Sequence, residues 1–103
     1  SSLPAEVRPD PNTLREFSTL KKELQREIGT LKKDRDSMLE ALAQSLAALP
    51  ASEIAVELKS FDDEMAAQTL RHMGKTKREA VLANLDAARA KKLRQRLRQL
   101  GSK

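Results

Sequence analysis

Few residues in this chain are of a type that does chemistry. His72 is the only histidine, and there is no cysteine. Asp62, Asp63 and Glu64 form a run of three acids. Hard divalent cations take carboxylate oxygens, so these three are weak candidates for a metal site. Acids that open a helix also cap its free N–H groups and favour its dipole, and that is the preferred role here. His72, beside Met73 at the end of a predicted helix, reads as a C-terminal cation on the helix dipole. One histidine among many acids defines no catalytic set, and no glycine-rich phosphate loop is present. The expectation is a protein that is not an enzyme, with no catalytic residue and no cofactor.

The acids and the histidine sit in a stretch, Pro50 to Leu100, that repeats every twelve residues. Leu58, Leu70 and Leu82 share one column; Phe61, Met73, Leu85 and Leu97 share another. In the fourth block Arg94 stands in the leucine column, with Leu93 beside it. About twelve residues allow a helix of two or three turns, marginal on its own in water. Apolar residues three apart mark one face, which neighbouring blocks must cover, so the blocks should stack. The expected core is Ile54, Leu58, Phe61, Ala66, Leu70, Met73, Leu82, Leu85 and Leu97. Expected caps are Ser52, Asp62, Thr76 (with Glu79 at capping-box spacing) and Asp86, and Gly74 should end the second helix.

Ahead of the repeats, Thr13 to Leu49 reads as one long helix, capped by Asn12 or Thr13. With Leu14 as heptad position a, the seam is Leu14, Phe17, Lys21, Leu24, Ile28, Leu31, Arg35 and Met38. The heptad pattern runs for about five heptads to Leu49, roughly 50 Å, and predicts a parallel coiled-coil homodimer from about Leu14 to Met38. Lys21 and Arg35 run their aliphatic stems along the seam, and Glu27 can pair with Lys32 of a second chain. The competing arrangement is a helix folded back on its own repeats. After Met38 the apolar face broadens, so the last three turns should join the repeat core. Pro50 stops the helix. Residues 1–12, with three of the four prolines, read as a disordered linker. The expected fold is therefore all-α: a long N-terminal coiled-coil helix over 13–49, then a small right- or left-turning superhelix of short helices over 50–103.

Composition agrees with that frame. The chain has 103 residues, 34% of them charged, with two Phe and no Trp or Tyr. No apolar run approaches the roughly 20 residues of a membrane span. The start at Ser1, without Met, predicts an excised piece, which leaves room for an anchor or signal upstream. Up to Met73 there are ten basic and thirteen acidic residues; from Gly74 on, ten basic and two acidic. The net charge of +5 thus belongs to the C-terminal end. Arg89, Lys92 and Arg96 are the candidate partner contacts on the last helix. A basic helix can meet nucleic-acid phosphates or an anionic membrane surface, but without aromatic residues to stack bases a solvated helix face, or a surface that meets an acidic protein partner, is preferred.

The run Leu49-Pro-Ala-Ser-Glu-Ile-Ala55, followed by Leu58, Phe61, Ala66-Ala67, Leu70, Met73, Leu82 and Leu85, resembles the N-terminal helical superhelix of MgtE-type magnesium transporters. It is also similar to part of the flagellar switch protein FliG. A coil followed by such repeats resembles the MotE/FlbB-like family of flagellar motility proteins. That resemblance implies a non-enzymatic dimeric scaffold or chaperone of the flagellar motor, in the periplasm and anchored at the inner membrane in the full-length protein. The implied partner is a motor or stator protein, with no small-molecule substrate. Two features depart from the pattern. Arg78-Glu79 replaces small apolar residues of the earlier blocks, and no cysteine can link a dimer. The alternatives are a cytosolic Mg2+-sensing module of an MgtE-type transporter and, third, a basic nucleic-acid-binding protein.

Overall fold

A computed structural model describes residues 10–101. Those residues are all-helical: α1 (Pro11–Leu46), α2 (Ala51–Glu57), α3 (Asp63–Arg71), α4 (Lys75–Ala83) and α5 (Ala87–Gln99), with a 3-10 turn (Leu58–Ser60) continuing α2. They divide into two units at Asp34 and Arg35, inside α1. Residues 1–9 of the expected linker lie outside the described residues.

The first unit is the helical stretch up to Asp34. α1 begins two residues earlier than expected. Pro11 suits the first helical position, where its missing N–H is not needed. Asp10, not Asn12 or Thr13, is the cap: Thr13 N–H donates to its Oδ1 at 2.8 Å. That bond holds the Asp10 carboxyl below its ordinary pKa.

The second unit holds the last turns of α1 and the four short helices. α1 ends at Leu46 rather than Leu49. Its last carbonyls are met by a tightened turn, in which Leu49 N–H donates to Leu46 at 2.9 Å. The short helices start at residues 51, 63, 75 and 87, so their starts are twelve apart. The residues before them, Pro50, Asp62, Gly74 and Asp86, all take an extended backbone, with φ between −52 and −69° and ψ between 135 and 167°. The repeat is therefore a repeat of helix starts, made by four different residue types in one conformation.

Only two of the four expected side-chain caps form. Asp62 accepts from Met65 N–H at 2.8 Å and Asp86 from Arg89 N–H at 3.2 Å. Ser52 and Thr76 lie inside their helices, because Pro50 and Gly74 already occupy the cap positions. Gly74 opens α4 instead of closing α3, which is capped by His72. Its φ of −60° is ordinary for any residue.

The core follows the twelve-residue columns. Leu58, Leu70 and Leu82 are buried, and Leu93 takes over where Arg94 holds the column half-exposed. Ile54, Ala66 and Ala90 form a second buried column, and Thr69, Val81 and Leu93 a third. Met73 and Leu97 are buried, while Phe61 and Leu85 are partly buried against the same cluster. Leu39, Ala43 and Leu46 of α1 are buried, and Leu42 and Leu49 pack on the core more loosely. Among the short helices, α2 packs on α4 and α3 on α5. Ala66 and Ala67, wholly buried, keep the α3 surface low where a neighbour approaches.

Leu70→Ala should cost about 2–5 kcal/mol of unfolding free energy in urea titrations, the usual loss for a buried leucine. Asp62→Ala should cost ~1 kcal/mol through its cap. Thr76→Ala should change stability by less than about 0.5 kcal/mol, since Thr76 caps nothing.

Candidate interaction surfaces

The three acids considered for a metal are each engaged by the protein. Asp62 caps α3. Asp63 Oδ1 accepts from Arg89 Nε at 3.1 Å. Glu64 takes a two-pronged grip from Arg96, with Nε to Oε2 at 2.7 Å and Nη2 to Oε1 at 2.9 Å, and accepts from Gln68 at 3.0 Å. Among the described residues no three metal-ligating side chains converge. The acids point to different partners because a helix start splays successive side chains by about 100°. The hydrogen bonds from Arg96 and Gln68 hold the Glu64 carboxyl at about 2, against an ordinary 4.5.

These contacts engage two of the three basic residues expected to meet a partner. Arg89 is half-buried and donates to Leu58 O at 2.7 Å and Phe61 O at 2.5 Å as well as to Asp63. It ties the turn between α2 and α3 to α5. Arg96 is held by Glu64. Of that set only Lys92 stands exposed without an ion pair among the described residues. The sequence marked α5 as basic but not which of its faces turns to α3. Asp63 and Glu64 were the signal for that, being the acids that open the helix on which α5 packs.

A different set of α5 side chains faces away from α3. Lys91 and Arg98 are exposed, and Arg94 between them pairs with Glu79 of α4. The spacing of three and four residues puts all three on one face of the helix.

Two further polar residues are structural. His72 donates from Nε2 to Asp36 Oδ1 at 2.9 Å, joining the end of α3 to the last part of α1. Arg78 is buried, at 5% exposure, in the column of Ile54, Ala66 and Ala90. Its Nη1 donates to Met73 O at 3.1 Å. The departure from small apolar residues at this block is thus accommodated: the aliphatic stem fills the column, and the guanidinium serves the turn between α3 and α4.

The seam of α1 stands open. Leu14, Phe17, Leu24, Ile28, Leu31 and Met38 are 42–73% exposed, with Leu20 at 64%. Lys21 and Arg35 are exposed beside them. No helix of the described residues is long and apolar enough to cross a membrane.

Arg89→Ala should lower stability by about 2 kcal/mol, because it strips a charged donor from two carbonyls; Lys92→Ala should leave it within about 0.5 kcal/mol. The lowered Glu64 pKa has a defined sign. Its contribution is complete above pH 4.5 and is lost as the pH falls towards 2. The Glu64→Gln variant should therefore lose less stability than the wild-type chain over that window, as read by urea titrations at each pH. The effect should be modest, since both partners are 40% exposed. No family model, curated protein or solved structure matches this chain.

Proposed function

We propose that this chain is a non-enzymatic dimeric scaffold. It dimerises through α1 and offers its short helices, stacked as a superhelix, to a protein partner. The observation that carries the reading is the row of exposed large apolar side chains at heptad spacing, Leu14, Phe17, Leu24, Ile28 and Leu31. A contiguous apolar row of this kind on a soluble surface marks a site of association. Its a and d spacing is that of a coiled-coil seam. Lys21 and Arg35 at a positions weaken the seam and restrict register, and Glu27 paired with Lys32 of the second chain favours a parallel pair. The even spacing of helix starts, with one shared cap conformation, supports a regular stack.

The setting we propose is the bacterial flagellar motor, as a scaffold or chaperone of periplasmic motor or stator components. It rests on the similarity of the coil-plus-repeat pattern to MotE/FlbB-like proteins, and the membrane anchor would lie outside this sequence. No observation favours the Mg2+-sensing alternative, since Asp62, Asp63 and Glu64 already have protein partners. None favours nucleic acid over a protein partner.

Sedimentation equilibrium at micromolar concentration should give twice the chain mass of 11.5 kDa, unchanged by millimolar Mg2+. Ile28→Asp should halve that mass, because the carboxylate would be buried without a partner in the seam. A monomeric wild-type chain, or a dimer indifferent to Ile28→Asp, would refute the reading.

A further inference from the structure

Between the end of α4 and one face of α5 lies an open groove of about 380 Å³. Leu82, Leu85, Ala87 and Ala90 give it an apolar lining, and Lys91, Arg94 and Arg98 of α5 stand along it as cations. These cations are the face of α5 left over once Arg89 and Arg96 have been taken by α3. Lys91 and Arg98 form no ion pair among the described residues.

We propose that this groove docks an acidic amphipathic helix of a partner protein, with its apolar side chains on Leu85 and Ala87 and its carboxylates on Lys91, Arg94 and Arg98. The proposal rests on the reading of the repeats as a protein-binding module, but not on dimerisation through α1. Three observations carry it. The groove combines an apolar lining with one sign of charge, the complement of an acidic amphipathic surface. The stripe from Ala87 to Arg98 spans roughly 16 Å at 1.5 Å per residue, matching about three turns of a partner helix. A carboxylate already occupies one rim position, for Glu79 pairs with Arg94. That hydrogen bond lowers the Glu79 pKa, so the rim favours ionised carboxylates.

Nucleic acid fits less well. The groove has no aromatic side chain on which a base can stack. Its apolar lining is also of no use to a phosphate backbone.

The test uses the full chain and a fluorescein-labelled, alanine-based helical peptide of about sixteen residues, with leucines along one face and glutamates flanking them. Controls are the same peptide with lysine for glutamate, and duplex DNA of similar length. Fluorescence anisotropy should show binding of the acidic peptide and not of the basic one. Lys91→Glu should weaken that binding by ~10-fold, and Glu79→Gln should strengthen it by releasing Arg94. Lys92→Glu makes the same charge change outside the groove and should alter binding by less than ~2-fold. Circular dichroism checks that each variant keeps its helices.

Three outcomes would overturn the proposal: no binding up to ~1 mM peptide, equal loss from Lys91→Glu and Lys92→Glu, or tighter binding of DNA than of the peptide. The titration is repeated with Ile28→Asp. Binding retained in that variant supports the groove whatever the oligomeric state. Binding lost there moves the site to α1 and refutes the groove, leaving the dimer reading to be judged by sedimentation alone.

Discussion

Helices of seven to nine residues cannot hold themselves in water. α2, α3 and α4 are of that length, so each exists only while its inner face is covered. The constraint is met by Leu58, Leu70, Leu82 and Leu93, with Ile54 and Val81 beside them, all at or near zero exposure. At roughly 1.5–3 kcal/mol for each fully buried aliphatic side chain, this cluster is the main favourable term in the second unit. The turns obey the same constraint. Each joins two helices within a few residues, and each begins the next helix from an extended residue placed twelve after the last.

Tight turns leave carbonyls that the short helices cannot satisfy, and arginine meets them. Arg89 serves Leu58 and Phe61, and Arg78 serves Met73. Phe61 and Met73 are equivalent positions in successive blocks, so two arginines from different helices do the same work one block apart. This gives the high basic content a structural component. Part of it faces inward, where a long stem can cross apolar ground and place a guanidinium on backbone oxygen. The acids of α3 take a further share through Arg89 and Arg96. What α3 leaves on α5 is Lys91, Lys92, Arg98 and Arg94, the last paired with Glu79 of α4, and the face with Lys91, Arg94 and Arg98 borders an apolar groove.

The two units solve the problem of apolar surface in opposite ways. In the second, the last turns of α1 and the short helices cover one another, and even Thr69 is buried with its hydroxyl donating to Met65 O at 2.7 Å. In the first, α1 keeps its leucines in solvent. In proteins most helix stability comes from packing an amphipathic face, and the face of α1 up to Asp34 is exposed among the described residues. The apolar row of α1 is therefore the part of the described residues with the least cover from its own chain.

Local chemistry in the sequence determined a good deal. Low Gly and Pro content with abundant Ala, Leu, Lys and Arg specified helices, because their backbone and rotamer costs are small. The twelve-residue columns located the helix starts and most of the core, since periodicity is a property of one helix at a time. Asp62 and Asp86 were readable as caps for the same reason. Ser52 and Thr76 were not, because Pro50 and Gly74 adopt the cap backbone without offering a side chain, and type alone favoured the hydroxyls. What only the tertiary structure decided is which helix lies against which. That α5 turns Arg89 and Arg96 to Asp63 and Glu64, that Arg78 can sit inside the core, and that His72 meets Asp36 all follow from contacts between residues far apart in the chain. Helical periodicity divides a surface into faces but does not say what each face will meet; a charge on a helix becomes a clamp, a counter-ion or a free contact only when packing assigns its neighbour.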